Sequence, residues 1–153
     1  MTQTLNSLSW ANCKIELSAD GGTTWKDISG FANSVTVDGG ERAVSEFMTV
    51  TGDTPIVTSG KRSLLEVTVK AVYTEDTADA PFIMGLSAYE SATDTVLLRW
   101  SPKGGAIGDY RYATSAAKVV APVYPQGAAD SGDAIPVELK LKCASITKSV
   151  ISV

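Results

Sequence analysis

The chain has 153 residues, 44% of them hydrophobic and 20% charged, with a formal net charge of -4 at pH 7 and no histidine. That length makes one domain with a sizeable core the default and excludes disorder throughout. The mild acidity argues against a nucleic-acid reader built on clustered Lys and Arg, and the missing imidazole removes His-dependent triads and most zinc sites.

The start of the chain, Met1 to Ser9, is polar and uncommitted, and reads as a flexible arm preceding one domain over residues 10–153. It lacks the basic start and apolar stretch of a signal peptide, and the longest apolar run falls well short of the ~18 residues a membrane helix needs. A soluble, non-secreted product with no membrane partner is expected. From Asn12 the pattern becomes strand-like: Cys13, Ile15 and Leu17 alternate with Lys14, Glu16 and Ser18, the period of a strand with one buried face. The turn Ala19-Asp20-Gly21-Gly22 leads into Thr23 to Ile28, so the two segments predict a hairpin.

Ser29-Gly30 interrupts that strand, Ser34 to Val37 predicts a short third one, and Asp38-Gly39-Gly40 turns the chain again. Glu41 to Val50 is extended but weakly alternating. Leu65, Val67, Val69, Ala71 and Tyr73 form a clean apolar face opposite Glu66, Thr68 and Lys70. Between these arms lies Thr51-Gly52-Asp53-Thr54-Pro55-Ile56-Val57-Thr58-Ser59-Gly60-Lys61, a polar, glycine-punctuated stretch that reads as a long inter-strand loop. Hairpin loops usually run to ~2–5 residues, so a longer one points to a contact with another chain.

Phe82, Ile83, Leu86 and Tyr89 recur at helical spacing with Pro81 near the start, predicting one helix between Asp76 and Ser91 with Asp79 as its N-cap. Strands are predicted again at Thr95 to Trp100, Tyr110 to Ala113, Lys118 to Tyr124, Ile135 to Cys143 and Ser145 to Ile151. The fold class is mainly β: an antiparallel sandwich or barrel with one flanking helix.

Motifs that resemble catalytic or binding signatures have simpler structural readings. Ser18-Ala19-Asp20-Gly21-Gly22-Thr23-Thr24-Trp25 matches the Asp-box of sialidase-like propellers but occurs once, where a propeller needs repeated blades. Gly104-Gly105-Ala106-Ile107-Gly108 is glycine-rich without the order of a phosphate-binding loop. Glu75, Asp76 and Asp79 sit where a helix dipole favours acids, and no calcium-loop order follows. Cys13 and Cys143 read as two small buried hydrophobes, while their spacing in the fold leaves a disulfide open. No cofactor is called for. Lys61 and Arg62 form a basic pair suited to an acidic partner surface.

Taken in order, the first strand, the Asp-Gly-Gly turn, the arm reaching Gly52-Asp53-Thr54-Pro55 and returning through Gly60-Lys61-Arg62, and Val67 to Tyr73 resemble the major tail tube proteins of long-tailed, siphovirus-like bacteriophages. Trp100-Ser101-Pro102 with its glycine-rich loop fits the same arrangement. The resemblance implies a non-enzymatic structural subunit of the virion tail, assembled in the host cytoplasm into hexameric rings that stack as a conduit for DNA. It implies that sheets of neighbouring subunits join around the lumen, and that DNA passes without sequence-specific binding. Tape-measure, tail-terminator and tail-tip proteins are the implied partners. Thr51 to Lys61 would be the ring-stacking loop, with Arg62, Ser145, Ile146, Thr147 and Lys148 as further interface residues. The alternatives are another tail component (a terminator, or a contractile or secretion-type tube), a carbohydrate-binding or adhesion module using Trp25, Tyr110 and Tyr112, and, more remotely, a glycosidase using Glu75 and Asp76.

Overall fold

The computed structural model describes residues 7–73, 94–130 and 132–152. Ser9 caps a single 3-10 turn, Trp10–Asn12, by accepting the Ala11 amide. The strands are β1 (Lys14–Ser18), β2 (Lys26–Asp27), β3 (Ala32–Gly39), β4 (Arg42–Phe47), β5 (Ile56–Arg62), β6 (Leu65–Val72), β7 (Leu97–Ser101), β8 (Tyr110–Thr114), β9 (Lys118–Val119), β10 (Pro136–Cys143) and β11 (Ile146–Val150). The helix expected between Asp76 and Ser91, with Glu75, Asp76 and Asp79, lies outside the described residues, as does the arm's Met1 to Asn6.

All the strand pairs are antiparallel. One sheet runs β11-β8-β7-β1-β2, a second β3-β6-β10-β9, and β4 pairs with β5 as a separate two-stranded ribbon. Alternation explains the second sheet: Val67, Val69 and Ala71 on β6 and Val137, Leu139, Leu141 and Cys143 on β10 are buried, with charged and polar residues between them. These side chains share one core with Ile15, Leu17, Leu98 and Trp100 of the first sheet. The mainly β sandwich is as expected, and neither sheet closes into a barrel among the described residues.

Four sequence expectations are corrected. β1 buries both faces: Glu16 and Ser18, expected outside, are buried with Ile15 and Leu17. Glu16 has this position because Arg99 Nε donates to its Oε2 at 2.7 Å and Lys14 Nζ stands 3.1 Å from its Oε1. The strand expected from Thr23 shrinks to Lys26–Asp27 because the Asp20 carboxylate, not a neighbouring strand, takes the Thr24 amide. The segment from Lys118 stops at Val119 as a strand, and Val120 adds one more bond to Lys140 before Pro122, which has no amide to donate.

The fourth correction concerns the long loop. Ile56 to Lys61 belongs to β5, and the actual connection is residues 48–55. β6 does not pair with the Glu41 to Val50 arm; its neighbours are β3 and β10. The alternation that marks a half-buried strand is missing from β5 because every residue in it is exposed. Both cysteines are free thiols, Cys143 buried and Cys13 half-buried.

A candidate assembly interface

The ribbon grows out of the β3–β6 hairpin. Asp38 pairs with Glu66 and Gly39 with Leu65, then Gly40 donates to Leu64 O and Ser63 to Glu41 O, and the ladder resumes at Arg42 opposite Arg62. Gly39 and Gly40 have φ of 82° and 76°, the left-handed region that favours glycine, and they let the paired strands bend at this point. Beyond the bend, Val44 faces Ser59, Ser45 faces Thr58, Glu46 faces Val57 and Phe47 faces Ile56. A strand of this length extends about 20 Å.

Nothing in the described chain covers this ribbon: every residue of β4 and β5 is exposed. Its apolar residues are on both faces, because the register puts Val44 and Val57 on one side and Phe47 and Ile56 on the other. Phe47 is 68% and Val57 61% exposed, and Met48 and Val50 extend the apolar surface toward the tip. An isolated two-stranded hairpin is marginal in water, and an exposed apolar ribbon with two open edges is a template for pairing with another chain.

The root is basic. Arg42 and Arg62 stand directly opposite one another, next to Lys61, and Arg42 Nη1 donates to the Gly60 carbonyl at 3.3 Å. Like charges directly across a strand pair repel, so an acidic partner would stabilise this end. Arg62 lines a hollow of about 290 Å³ together with Gly39, Leu65, Ser145 and Ile146. The structure thus brings Arg62, Ser145 and Ile146 together, while Thr51, Gly52, Asp53, Thr54 and Pro55 lie at the ribbon's tip, where the Gly52 amide donates to Thr49 O. Thr147 and Lys148 continue along β11, the outer strand of the other sheet. Sequence reasoning missed Val44, Phe47, Met48 and Val50. Their signal was an apolar, β-prone segment with only weak alternation.

Among the described residues, the Asp-Gly-Gly turn, the glycine-rich connection and the candidate sugar-binding rings make contacts within the fold. Ser18 Oγ bonds to Asp20 Oδ1 at 2.7 Å and accepts the Gly22 amide, closing the Asp-Gly-Gly turn. Hydrogen bonds from Thr24 and then from Ser18 hold the Asp20 carboxyl well below the usual carboxylate range. In the glycine-rich connection, Asp109 accepts the Ala106 amide and pairs with Lys103 at 3.2 Å, so a carboxylate already stands where an anion would bind. One face of each candidate sugar-stacking ring is occupied: Arg99 lies 4.0 Å from the Trp25 ring centroid, Lys148 3.9 Å from that of Tyr110, and Trp100 stacks on Tyr112.

No family model and no curated protein matches the chain. Solved structures do. The chain is similar to one in the sheath–tube complex of an extracellular contractile injection system, PVC, in its extended state, with TM-score 0.68, 12% identity, and 96% of this chain and 94% of that chain covered. It is similar to a chain of the anti-feeding prophage baseplate, with TM-score 0.67, 12% identity and full coverage of both chains. A chain from the tail of an empty GTA particle refined with C6 symmetry aligns at TM-score 0.57 and 9% identity, covering 95% of this chain and 100% of that one. The chain therefore has the tail-tube type of fold found in phage-tail-like particles.

Proposed function

We propose that this chain is a structural subunit of a tail tube, in which copies close into hexameric rings and the rings stack into a conduit. The observation that carries this reading is the β4–β5 ribbon, exposed on both faces and apolar at Val44, Phe47, Ile56 and Val57, in a chain of tail-tube fold. The ribbon reaches the next ring, with residues 48–55 at its tip, and the hollow at its root, lined by Arg62, Ser145 and Ile146, receives a neighbour's acidic surface. Tape-measure, terminator and tip proteins are the partners of such a tube, and the tail of the particle is its place after assembly in the host cytoplasm. A mildly acidic tube suits passing DNA, because it does not hold phosphates by counterion release.

The similarity to chains of the PVC and anti-feeding prophage assemblies favours a second reading of the machine: the inner tube of a contractile device rather than a siphovirus-like tail. Negative-stain microscopy of concentrated protein tests the common core of both. Rings or tubes with six-fold views are expected. Protein that stays monomeric even with initiator and partner proteins present overturns the proposal.

A further inference from the structure

The ribbon leaves one end of the β3-β6-β10-β9 sheet, and the opposite end of the same sheet carries an open connection. The registers fix these ends: Gly39 stands by Leu65 where the ribbon begins, while Ala32 stands by Ala71 and Val72 by Pro136 at the other. β9 runs toward that far end and leads into residues 120–135, which return to β10 at Pro136. No strand forms in this connection among the described residues, and it exceeds the ~12–15 residues that structureless loops in compact domains rarely pass; longer ones are usually functional. Eight-residue strands set the two ends about 26 Å apart.

The connection complements the ribbon's root in charge. Between Lys118 and Lys140 the sequence contains no Lys or Arg, whereas Asp130, Asp133 and Glu138 fall within that span. Lys70 balances Glu138 at 3.3 Å, and Asp130 is exposed on the loop. The root gathers Arg42, Lys61 and Arg62, with the two arginines directly opposed. Apolar surface matches as well. Tyr124 and Ile135 are exposed, and a hollow of about 840 Å³ opens between Pro125, Ala128, Asp133, Ile135 and Pro136, while Val44, the first apolar residue past the root with a cross-strand partner, is exposed in turn. Val123 is buried and pins the connection to the core.

We infer that residues 120–135 form the seat for the root of a ribbon from a copy in the adjoining ring, with Asp130 facing Arg62 and with Tyr124 and Ile135 against Val44. The occupant is a second copy of this chain. Its two complementary surfaces lie at opposite ends of one sheet, so copies of one orientation join end to end without limit, and the contact builds length instead of closing. The neighbour's acid also relieves the opposition of Arg42 and Arg62 across the strand pair. The seat rests on the tube reading, which supplies a reaching ribbon and leaves its receiver unassigned.

The test is a pair of charge reversals, Asp130→Arg and Arg62→Glu, prepared singly, mixed and combined. Both are expected to fold, because Asp130 is on an exposed connection and the introduced glutamate faces Arg42. Each alone is expected to form rings that need about tenfold or more higher concentration to stack. The mixture of the two single variants, and the double variant, are expected to stack again. Lys61→Cys with Asp130→Cys in one chain is expected to give a ladder of disulfide-linked chains when stacked rings are oxidised. The two sites are at opposite ends of the sheet and too far apart to bond within one copy, and the parent, with Cys13 and Cys143 alone, is the control. Single variants that stack like the parent, or stacks of the cysteine variant that give no ladder, overturn the seat while leaving the tube reading standing. A ladder from unstacked rings also overturns it, since the contact then lies within a ring. A parent chain that never assembles overturns both.

Discussion

Arg99 Nε donates a 2.7 Å hydrogen bond to Glu16 Oε2 across the β1–β7 pair, and the same guanidinium lies over the Trp25 ring. One arginine thus ties the turn after β1 to the middle of the sheet. Burial acts to raise the Glu16 pKa, but the hydrogen bonds and charges of Arg99 and Lys14 outweigh it and hold the carboxyl below its ordinary range. The carboxyl is depressed in the folded chain, so its stabilisation is present above the unfolded pKa of about 4.3 and is lost as pH falls through the folded value. Glu16→Gln is expected to destabilise the domain by about 2–4 kcal/mol at pH 7 by leaving Arg99 unpaired, and the difference from the parent should shrink in acid. Urea melts between pH 3 and 7 check both the size and the sign; a difference that grows in acid would count against it.

Cys13 and Cys143 are free, and their surroundings make them poor nucleophiles. Burial pushes the Cys13 thiol up to about 11 against a lowering backbone hydrogen bond from Ser101, and burial raises Cys143 as well. At pH 8 alkylation of Cys13 by iodoacetamide is expected to be about a hundredfold slower than for an unperturbed thiol, with both thiols reacting quickly in denaturant. Mass spectrometry after timed quenching measures this, and rapid labelling of the native protein would refute it.

Where one face of a strand is buried, the sequence already showed the strand. Val67, Val69 and Ala71 of β6, and Val137, Leu139 and Leu141 of β10, alternate because only one side meets the core. The ribbon was harder to read for the converse reason. In β5 both faces are exposed, so Thr58, Ser59, Gly60 and Lys61 have loop-like composition while taking part in a paired ladder. That the chain between Arg42 and Arg62 stands apart from the core was legible from its length and composition, but not that it is a paired ribbon with Val44, Phe47, Ile56 and Val57 exposed. The grouping of Arg62 with Ser145 and Ile146 depends on strand order, which no local pattern encodes.

The bend at the root of the ribbon has a sharp steric requirement. Gly39 has φ of 82°, and a Cβ there would run into the Leu64 carbonyl oxygen, whereas Gly21, at φ of 72°, has nothing within 4 Å of the same position. Both replacements by alanine incur left-handed strain, and Gly39→Ala adds the clash. Gly39→Ala is expected to cost about 1–3 kcal/mol, at least about 1 kcal/mol more than Gly21→Ala. Parallel denaturant melts of the two variants decide it, and equal losses would mean that the ribbon's root moves freely enough to relieve the contact.

The ribbon's surface should matter for assembly and little for folding. Phe47 and Ile56 are paired with each other and exposed, so Phe47→Ser with Ile56→Ser removes apolar area that contributes almost nothing to the isolated fold. The monomer's stability is expected to change by no more than about 0.5 kcal/mol, while tube formation falls by about tenfold or more in the concentration required. A second change separates the tip from the strands. Replacing residues 48–55 by Asn-Gly joins Phe47 to Ile56 through a two-residue turn suited to their register. That variant should keep the β4–β5 pairing and the single ring but lose stacking. Sedimentation and negative-stain views of rings against tubes read the two steps apart, and full-length tubes from either variant would remove the ribbon from the stacking contact.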